Sequence, residues 1–316
     1  MKQRIYLGID TSCYTTSAAA LYEDGSLAAE ARRVLSVREG RCGLQQSEMV
    51  FQHTRNLPEM VEQVLQGGRY EIAAVGVSGY PRPLAGSYMP AFLAGCSVAR
   101  SLAAALGVRL HVLSHQENHL EAALWSAGGP GAERFLMLHA SGGTTDLLLA
   151  EKRDDGSYAL TEAGGSMDLH AGQFIDRVGV ALGLQFPTGP ALERLAETAQ
   201  SMEELPVAVK KLQVSLSGPA TAALRRLQAG ADGAALALGV EHALAETFAR
   251  LLRNGAAAYN AGDVLLAGGV GCNKYIRKHV EQKLAARGVR LWVPEGRFSC
   301  DNATGCAAYA RKMSIL

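Results

Sequence analysis

The sequence lacks an excess of charge of either sign and lacks long apolar runs. Its 316 residues include 31 Lys and Arg against 30 Asp and Glu, for a formal net charge of +1. This balance excludes a chain that holds nucleic acid by bulk charge alone, although a local basic patch remains open. No apolar run reaches the roughly 18 residues of a membrane span. The opening MKQRIYLGID contains no apolar stretch of signal-peptide length, so we expect a cytoplasmic chain without membrane contact.

Cysteine pairs with redox or metal-ligand spacing are also missing. The chain contains no C-x-x-C motif and is too long for a small secreted scaffold. It contains no HExxH helix, which excludes a zinc peptidase of that type. Hydrophobic residues make up 48% and charged residues 19%, which predicts a sizeable core. We therefore expect reduced thiols at all six cysteines, which are Cys13, Cys42, Cys96, Cys272, Cys300 and Cys306.

An internal repeat is the most informative pattern that is present. A strand (IYLGID), a hydroxyl-rich turn (TSCYTT) and a second strand (SAAALYE) lead to a turn at Asp24-Gly25. From Phe135 the same plan returns as FLMLHA, SGGTT and DLLLAE, with a turn at Asp155-Gly156. The segment GVRL at 107–110 likewise recurs at 288–291, between helical stretches. The second half is longer by roughly 50 residues, which lie between about 163 and 219.

This duplication predicts an α/β protein with a duplicated ribonuclease-H-like fold, as in the actin, sugar kinase and chaperone ATPase superfamily. We expect an N-terminal lobe at 1–133 and a C-terminal lobe at 134–316, around a central cleft. The C-terminal lobe would carry the inserted helical segment at about 163–219. The turns at 10–12 and 141–143 would face each other, and their free amides suit phosphate. The alternative is that β-rich beginnings and helical ends are merely common in α/β proteins.

Two histidines stand four positions apart in SHQENHLEAAL. On a helix, His115 and His119 lie on one face and can share a zinc or iron ion, although the spacing can also arise by chance. The matching strand of the second half is followed by FSCDNATG, and pseudo-twofold symmetry would bring Asp301 to the histidines. Two histidines and a carboxylate form a common open metal site. His139, on the strand before the Ser141 turn, is a candidate fourth ligand or a half-buried strand histidine.

Three further residues are candidates for nucleotide contact. The segment AGGVGCN follows a buried strand, and its glycines would let a nucleotide approach the backbone closely. Asn273 at its end could hydrogen-bond a ribose or base, or could equally cap a helix. Asp176 and Gly189 could contact ribose hydroxyls, although by itself Asp176 is typical of a solvated helix charge.

Over nearly its whole length the chain resembles the TsaD/Kae/Qri (glycoprotease-like) family of tRNA threonylcarbamoyladenosine transferases. The motifs that carry the resemblance are LGIDTSC, SHQENH, HASGGTTDLLL, SMDLHAGQFIDRVGVALGLQFPTGPALERLA, the LSG at 216–218, AGGVGCN and FSCDNAT. The resemblance implies iron or zinc on His115, His119 and Asp301, with His139 as an additional ligand. Glu117, beside the ligands, is a candidate catalytic residue that orients them. The nucleotide and substrate contacts implied are Ser141, Gly142, Gly143, Asp176, Gly189 and Asn273.

The reaction implied is metal-dependent transfer of a threonylcarbamoyl group from an adenylate to an acceptor amine. The default acceptor is the N6 amine of the tRNA adenosine beside the anticodon. The cofactors implied are one divalent metal ion and, as ligand, ATP or an AMP-linked carbamoyl intermediate. The partners implied are adenine nucleotide, tRNA, and TsaB-like and TsaE-like proteins.

Several positions depart from the family pattern and suggest a divergent bacterial paralogue. Tyr14 and Leu169 stand where the family has acidic residues, Gln173 replaces a Glu, and Ala220 replaces a Lys. Two alternatives therefore stay open. The chain could be a carbamoyl transferase acting on a small molecule, or a non-catalytic nucleotide-binding partner of the standard family enzyme.

Overall fold

The computed structural model contains both strands and helices and describes residues 2–12, 14–37 and 44–315. The strands are β1 Gln3–Asp10, β2 Thr15–Tyr22, β3 Leu27–Val34, β4 Tyr70–Tyr80, β5 Arg109–Ser114, β6 Arg134–Ala140, β7 Thr145–Lys152, β8 Tyr158–Ser166, β9 Ala208–Lys210, β10 Gln213–Ser215, β11 Asp263–Ala267 and β12 Arg290–Trp292. The helices are α1 Gln46–Leu65, α2 Phe92–Leu106, α3 His115–Ala127, α4 Ala171–Ala181, α5 Gly189–Ala196, α6 Ser217–Gln228, α7 Gly233–Tyr259, α8 Lys274–Ala285, α9 Gly296–Ser299 and α10 Thr304–Ile315. A 3-10 turn, Gly269–Cys272, joins β11 to α8.

Contacts divide the chain into two compact units. Unit 1 comprises residues 1–128, 153–158 and 300–316, and unit 2 comprises residues 129–152 and 159–299. The lobes at 1–133 and 134–316 stay a prediction. The contacts differ from that division at the C terminus, because α10 packs on β1, β4 and α3 of unit 1.

Unit 1 contains a five-stranded sheet in the order β3-β2-β1-β4-β5. The first three strands pair antiparallel as a meander, and β4 and β5 add in parallel. Helices α1 and α2 bury their apolar residues against this sheet, and Leu57, Met60 and Ala99 pack on Ile5 and Val75. Burial of this apolar surface is the main source of stability for such a layer.

Unit 2 contains a seven-stranded sheet in the order β12-β11-β6-β7-β8-β10-β9. Strands β8-β7-β6-β11-β12 repeat the order of unit 1, with β6 and β7 antiparallel and β11 and β12 in parallel. The duplicated fold predicted from the sequence is therefore confirmed. The inserted segment supplies α4, α5 and the two short strands that extend the sheet beyond β8. Helix α7 is largely buried in the core of this unit.

The polar segment ALERLAETAQSMEEL is helical only at its beginning. Helix α5 ends at Ala196, and residues 200–207 are neither helix nor strand. The hydroxyl of Thr198 donates to the Leu195 carbonyl at 2.7 Å, so it takes an acceptor that a continuing helix would need. Leu205 and Val207 then pack on the core instead of following a helical face.

Four of the six cysteines are free thiols, namely Cys96, Cys272, Cys300 and Cys306. Cys13 and Cys42 lie outside the described residues. Within the ranges that the structure describes, every helix is too short or too polar to cross a membrane.

Three glycines let α10 approach its neighbours in unit 1. Gly8 and Gly76 are register partners on β1 and β4. A Cβ at Gly8 would stand 2.2 Å from the Ala303 carbonyl oxygen, and one at Gly76 would stand 2.1 Å from the Cys306 carbonyl oxygen. A Cβ at Gly305 would stand 2.0 Å from the backbone oxygen of Asn118 on α3. No side chain fits at these positions, so the start of α10 lies directly against the sheet.

We expect Gly8→Ala to lower the free energy of unfolding by at least about 2 kcal/mol, because the added methyl group collides with backbone atoms that cannot turn away. Gly262→Ala is the matched control, since a Cβ there meets nothing within 4 Å. Chemical denaturation followed by circular dichroism measures both variants. Equal stability of the two would contradict the close packing of α10.

Candidate metal centre and nucleotide-binding residues

Helix α3 begins with a complete capping box that fixes the two histidines. The Ser114 hydroxyl accepts from the Glu117 amide at 3.2 Å, and the Glu117 carboxylate accepts from the Ser114 amide at 2.8 Å. The same carboxylate accepts from the Ser114 hydroxyl at 2.7 Å. His115 is the first residue of this helix and His119 stands one turn later. Glu117, predicted to orient the ligands, acts in this structure as the helix cap.

His115, His119 and Asp301 come together within unit 1. The two Nε2 atoms lie 3.1 Å apart, and the Asp301 carboxylate oxygen lies 3.6 Å from that of His115 and 3.4 Å from that of His119. All three potential ligand atoms lie within 4.8 Å of one another. The spatial meeting predicted for these three side chains is therefore observed.

The donor set fits a metal ion such as zinc or iron. Two ligand atoms about 2.1 Å from a tetrahedral ion stand about 3.4 Å from each other, which matches the separations in this cluster. Two imidazoles and one carboxylate leave further coordination positions open. The alternative without a metal ion is a hydrogen bond between the two imidazole rings, with the Asp301 carboxylate beside them. Binding of a metal at this cluster stays a prediction.

A hydrogen-bonded loop holds Asp301 in place. The Asn302 side chain accepts from the Thr304 amide at 2.9 Å and donates to the Cys300 carbonyl at 2.7 Å, so it ties the residues on both sides of Asp301. Asn118, which is buried on α3, donates to the Asn302 carbonyl at 2.8 Å. Asn118, next to His119, thus holds Asn302, next to Asp301. Sequence reasoning missed both asparagines, although Asn302 stands within the FSCDNATG motif.

Asp10, the last residue of β1, is a further carboxylate near this cluster that sequence reasoning did not assign. It is fully buried, and one oxygen lies 4.0 Å from the Nδ1 atom of His115. Burial raises the pKa of Asp10 to about 7, and the nearby Asp301 charge adds to this rise, while hydrogen bonds from Ser78 and Ser12 oppose it.

Burial keeps the His115 imidazole in its neutral form. Burial lowers the pKa of His115 to about 3, with repulsion from His119 adding to the effect and attraction to Asp301 opposing it. His115 is therefore neutral at physiological pH. A neutral ring offers its nitrogen lone pair without competition from a proton, which is the state that metal binding needs.

The predicted nucleotide residues at 141–143 form the tip of the β6–β7 hairpin in unit 2. The turn is closed by the Ser141 amide, which donates to the Thr144 carbonyl at 2.8 Å. Gly142 and Gly143 are exposed, and a Cβ on either would meet nothing within 4 Å. Helix α4 begins against this tip, where the Gly172 amide donates to the Ser141 carbonyl at 3.0 Å. Open glycine backbone beside a helix start suits an anionic group. His139 lies buried on β6 just before this tip.

Asp176 and Gly189 meet at the junction of α4 and α5. One Asp176 oxygen accepts from the Thr188 amide at 2.8 Å and from the Thr188 hydroxyl at 3.0 Å. Asp176 is therefore tied to the loop before Gly189 and is not simply a solvated helix charge. The space beside Gly189 is open, because a Cβ there would meet only Ile175 at 4.0 Å.

Asn273 takes the helix-capping role that the sequence left as an alternative. Its side-chain oxygen accepts from the Ile276 amide at 2.9 Å and so caps α8. Its side-chain nitrogen donates to Glu241 on α7 at 2.5 Å. Glu241 is buried, and this burial raises its pKa to about 7, with Glu193 and Glu197 adding to the rise and the Asn273 bond opposing it. Contact of Asn273 with a nucleotide stays a prediction.

Three of the four positions expected to depart from the family pattern have structural roles in this chain. Leu169 and Ala220 are buried in the core of unit 2. Gln173 accepts from the His170 amide at 3.2 Å at the start of α4, a bond that Glu could also make. Tyr14 is exposed.

The carboxylate that precedes Leu169 keeps a dense set of partners. Asp168 accepts from the Ser215 hydroxyl at 2.6 Å and from the Leu216 amide at 2.9 Å. Partial burial alone would raise the pKa of Asp168, but these hydrogen bonds outweigh it and hold the pKa well below the usual range. Asp168 is therefore ionised and fixed to the segment before α6.

Comparison with known protein families gives a match over most of the chain. The model of the family described as TsaD, tRNA N6-adenosine threonylcarbamoyltransferase, matches residues 45–308. A tRNA N6-adenosine threonylcarbamoyltransferase of Thermus thermophilus is 32% identical over 311 residues, covering 96% of this chain and 91% of that protein. A probable bifunctional tRNA threonylcarbamoyladenosine biosynthesis protein of Methanothermobacter thermautotrophicus is 27% identical over 94% of this chain. The chain spans 53% of that longer relative.

Solved structures show the same fold at much lower identity. (R)-2-Hydroxyglutaryl-CoA dehydratase component A of Acidaminococcus fermentans superposes with a TM-score of 0.57 at 16% identity, over 99% of both chains. A ROK family glucokinase of Streptomyces griseus superposes with a TM-score of 0.57 at 12% identity, over 98% of this chain and 99% of that one. These likenesses confirm the predicted actin-like, sugar-kinase-like fold class.

The raised pKa of Glu241 predicts a specific pH dependence of stability. The folded state keeps the Glu241 proton up to about pH 7, whereas the unfolded chain loses it near 4.5, so this contribution to stability is present at low pH and is lost as the pH rises through 7. Glu241→Gln can still accept the Asn273 bond but does not titrate. We expect its free energy of unfolding, relative to that of wild type, to rise by about 2 kcal/mol from pH 5 to pH 8. Urea denaturation at pH 5, 6.5 and 8 measures this. The exposed Glu281→Gln is the control, and an equal pH profile for all three proteins would refute the assignment.

Proposed function

Since the chain belongs to the TsaD family of tRNA N6-adenosine threonylcarbamoyltransferases, we propose that it transfers a threonylcarbamoyl group to the N6 amine of the tRNA adenosine beside the anticodon. The donor in this proposal is an AMP-linked threonylcarbamoyl group. The observation that carries the proposal is the cluster of His115, His119 and Asp301, which offers an open set of three ligands within 4.8 Å of one another. Such a site suits a reaction at a carbonyl group.

The reaction exchanges one acyl bond for another. The amine nitrogen forms a bond to the carbamoyl carbon and loses one proton, while the bond from that carbon to the phosphate oxygen breaks. AMP leaves with the electron pair of the broken bond. No oxidant or reductant is required.

We assign the metal ion to the two imidazole nitrogens and the Asp301 carboxylate. When bound, a divalent ion such as zinc or iron supplies Lewis acidity that polarises the carbonyl group. His115 and His119 hold their positions because the capping box of Ser114 and Glu117 fixes the first turn of α3. Asp301 holds its position because Asn302 and Asn118 tie the surrounding loop. Glu117 thus has a positioning role in the proposal, through the helix that it caps.

We assign the adenine nucleotide to unit 2. The exposed backbone of Gly142 and Gly143 is suited to a phosphate group, because glycine lets the group approach closely and the start of α4 lies beside this turn. Asp176 and Gly189 are assigned to the ribose. Asn273 has a smaller share, since its oxygen already caps α8 and one of its N–H groups is bound to Glu241. His139 remains a candidate additional ligand.

Removal of either kind of ligand should abolish metal binding. We expect His115→Ala and Asp301→Ala each to lower the affinity for Zn²⁺ or Co²⁺ by more than about 100-fold, because two remaining ligands hold such ions weakly. Equilibrium dialysis with elemental analysis measures the affinity and the stoichiometry. His111→Ala is the control, because it removes a half-buried histidine of unit 1 outside the cluster. If both ligand variants bind as much metal as wild type, the proposed metal centre is refuted.

The acceptor is tested directly with purified components. We expect the chain, with TsaB-like and TsaE-like proteins and threonylcarbamoyl adenylate, to modify a tRNA transcript, as measured by mass spectrometry of the nucleosides. Asp301→Ala should lose this activity while retaining the stability of wild type. Transfer to small amines but not to tRNA would instead favour the small-molecule transferase. Nucleotide binding without any transfer would favour the non-catalytic partner.

A further inference from the structure

Two buried polar atoms face each other behind the candidate metal cluster. One oxygen of Asp10, at the end of β1, lies 4.0 Å from Nδ1 of His115, at the start of α3. Neither atom forms a hydrogen bond with any of the residues that the structure describes. Asp10 is fully buried, and only 14% of the His115 side chain is exposed. The pair therefore lies where water has little access.

Such a pair requires an explanation, because buried polar atoms are nearly always hydrogen-bonded. A buried polar atom without a partner has lost its bonds to water and gained none in return, which is unfavourable. The two ring nitrogens of His115 face different groups, since Nε2 lies toward His119 and Asp301 while Nδ1 lies toward Asp10. The ring thus stands between the ligand cluster and a carboxylate that is not part of the cluster.

The Asp10 carboxylate is held from its other side. The Ser12 hydroxyl donates to the second oxygen at 2.9 Å, and Ser78 supplies a further hydrogen bond. The Ser17 hydroxyl donates to the Asp10 backbone carbonyl at 3.4 Å. The Ser12 bond occupies the second oxygen of the carboxylate, and the other oxygen faces the imidazole of His115.

We propose that Asp10 is a positioning residue of the metal centre, which accepts the Nδ1–H of His115 when Nε2 of the same ring binds the ion. The inference rests on the metal centre of the proposed function and adds a residue to it. A metal on Nε2 occupies that lone pair, so the ring proton resides on Nδ1 and needs an acceptor. Histidine ligands commonly donate their second nitrogen to a carboxylate, which fixes the ring and strengthens the metal bond. A ring movement of about 1 Å brings the two atoms to hydrogen-bond distance.

Alternative roles of Asp10 predict different behaviour. If Asp10 only stabilised the end of β1 through Ser12 and Ser78, its removal would lower stability without a selective effect on the tautomer of His115. If the Asp10 oxygen bound the ion itself, the His115 Nδ1 proton would lose its acceptor when the metal binds. The tautomer and hydrogen bonding of His115 therefore distinguish these roles.

The first measurement uses the full-length wild-type chain and needs no variant at this position. The protein, labelled with ¹⁵N in its histidines, is titrated with Zn²⁺, and His115→Ala assigns the resonance. We expect a zinc-bound Nε2 and a protonated Nδ1 whose proton is shifted downfield and exchanges slowly. Zinc on Nδ1, or an Nδ1 proton that exchanges as fast as that of an exposed histidine, would overturn the proposal.

The second measurement compares Asp10→Asn and Asp10→Ala with wild type. We expect Asp10→Ala to weaken Co²⁺ and Zn²⁺ binding by about 10–100-fold and to alter the Co²⁺ absorption spectrum. Asp10→Asn should rescue part of the affinity, because its amide oxygen can still accept from Nδ1. Asp24→Ala is the control, since it removes an exposed carboxylate of the β2–β3 turn in the same unit.

The outcomes separate this inference from the proposed function. If the wild-type protein binds neither Zn²⁺ nor Co²⁺, both the proposed metal centre and this inference are refuted. If the wild-type protein binds the ion and a folded Asp10→Ala variant has the same affinity and the same Co²⁺ spectrum, only the role of Asp10 is refuted. If Asp10→Ala does not fold, Asp10→Asn and the wild-type histidine resonances decide the question.

Discussion

The close approach of α10 to the sheet of unit 1 is the constraint on which the candidate centre depends. Gly8 and Gly76 present no side chain to the helix, and Gly305 presents none to α3. The backbone of α10 can therefore lie against β1, β4 and α3 at once. Asp301 stands in the loop that leads into this helix, so the packing of the helix helps to place its carboxylate. The three side chains of the candidate cluster are thus brought together by the fold itself.

The charges of the centre favour a cation. Two carboxylates, Asp10 and Asp301, lie near two imidazoles, and burial keeps His115 neutral. Without a cation, the loss of water and the proximity of Asp301 raise the pKa of Asp10. A divalent ion would compensate this negative charge, which is the usual reason why buried acidic groups and neutral histidines are found together. Burial of these charged groups is thus unfavourable without a cation, and a bound cation would relieve it.

Three of the positions expected to depart from the family pattern, Leu169, Gln173 and Ala220, lie in unit 2. Leu169 and Ala220 contribute to the core of this unit. Gln173 preserves a helix cap that either Gln or Glu can make. Asp168 retains a dense set of hydrogen bonds to the segment at 215–217. The candidate cluster of His115, His119 and Asp301 belongs to unit 1, so none of these positions contributes to it.

The sequence determined the duplicated strand order, the α3 position of His115 and His119, and the family, because periodic apolar runs and motif spacing are local properties of the chain. It left Asn273 undecided between a cap and a ligand contact; the tertiary structure shows the cap of α8 and a bond to Glu241, and the ligand contact stays a prediction. Sequence reasoning also missed Asp10, Asn118 and Asn302. Those roles arise from contacts between residues far apart in the chain, such as Asn118 with Asn302. No local pattern encodes such a contact, since it exists only after the helices and strands have packed.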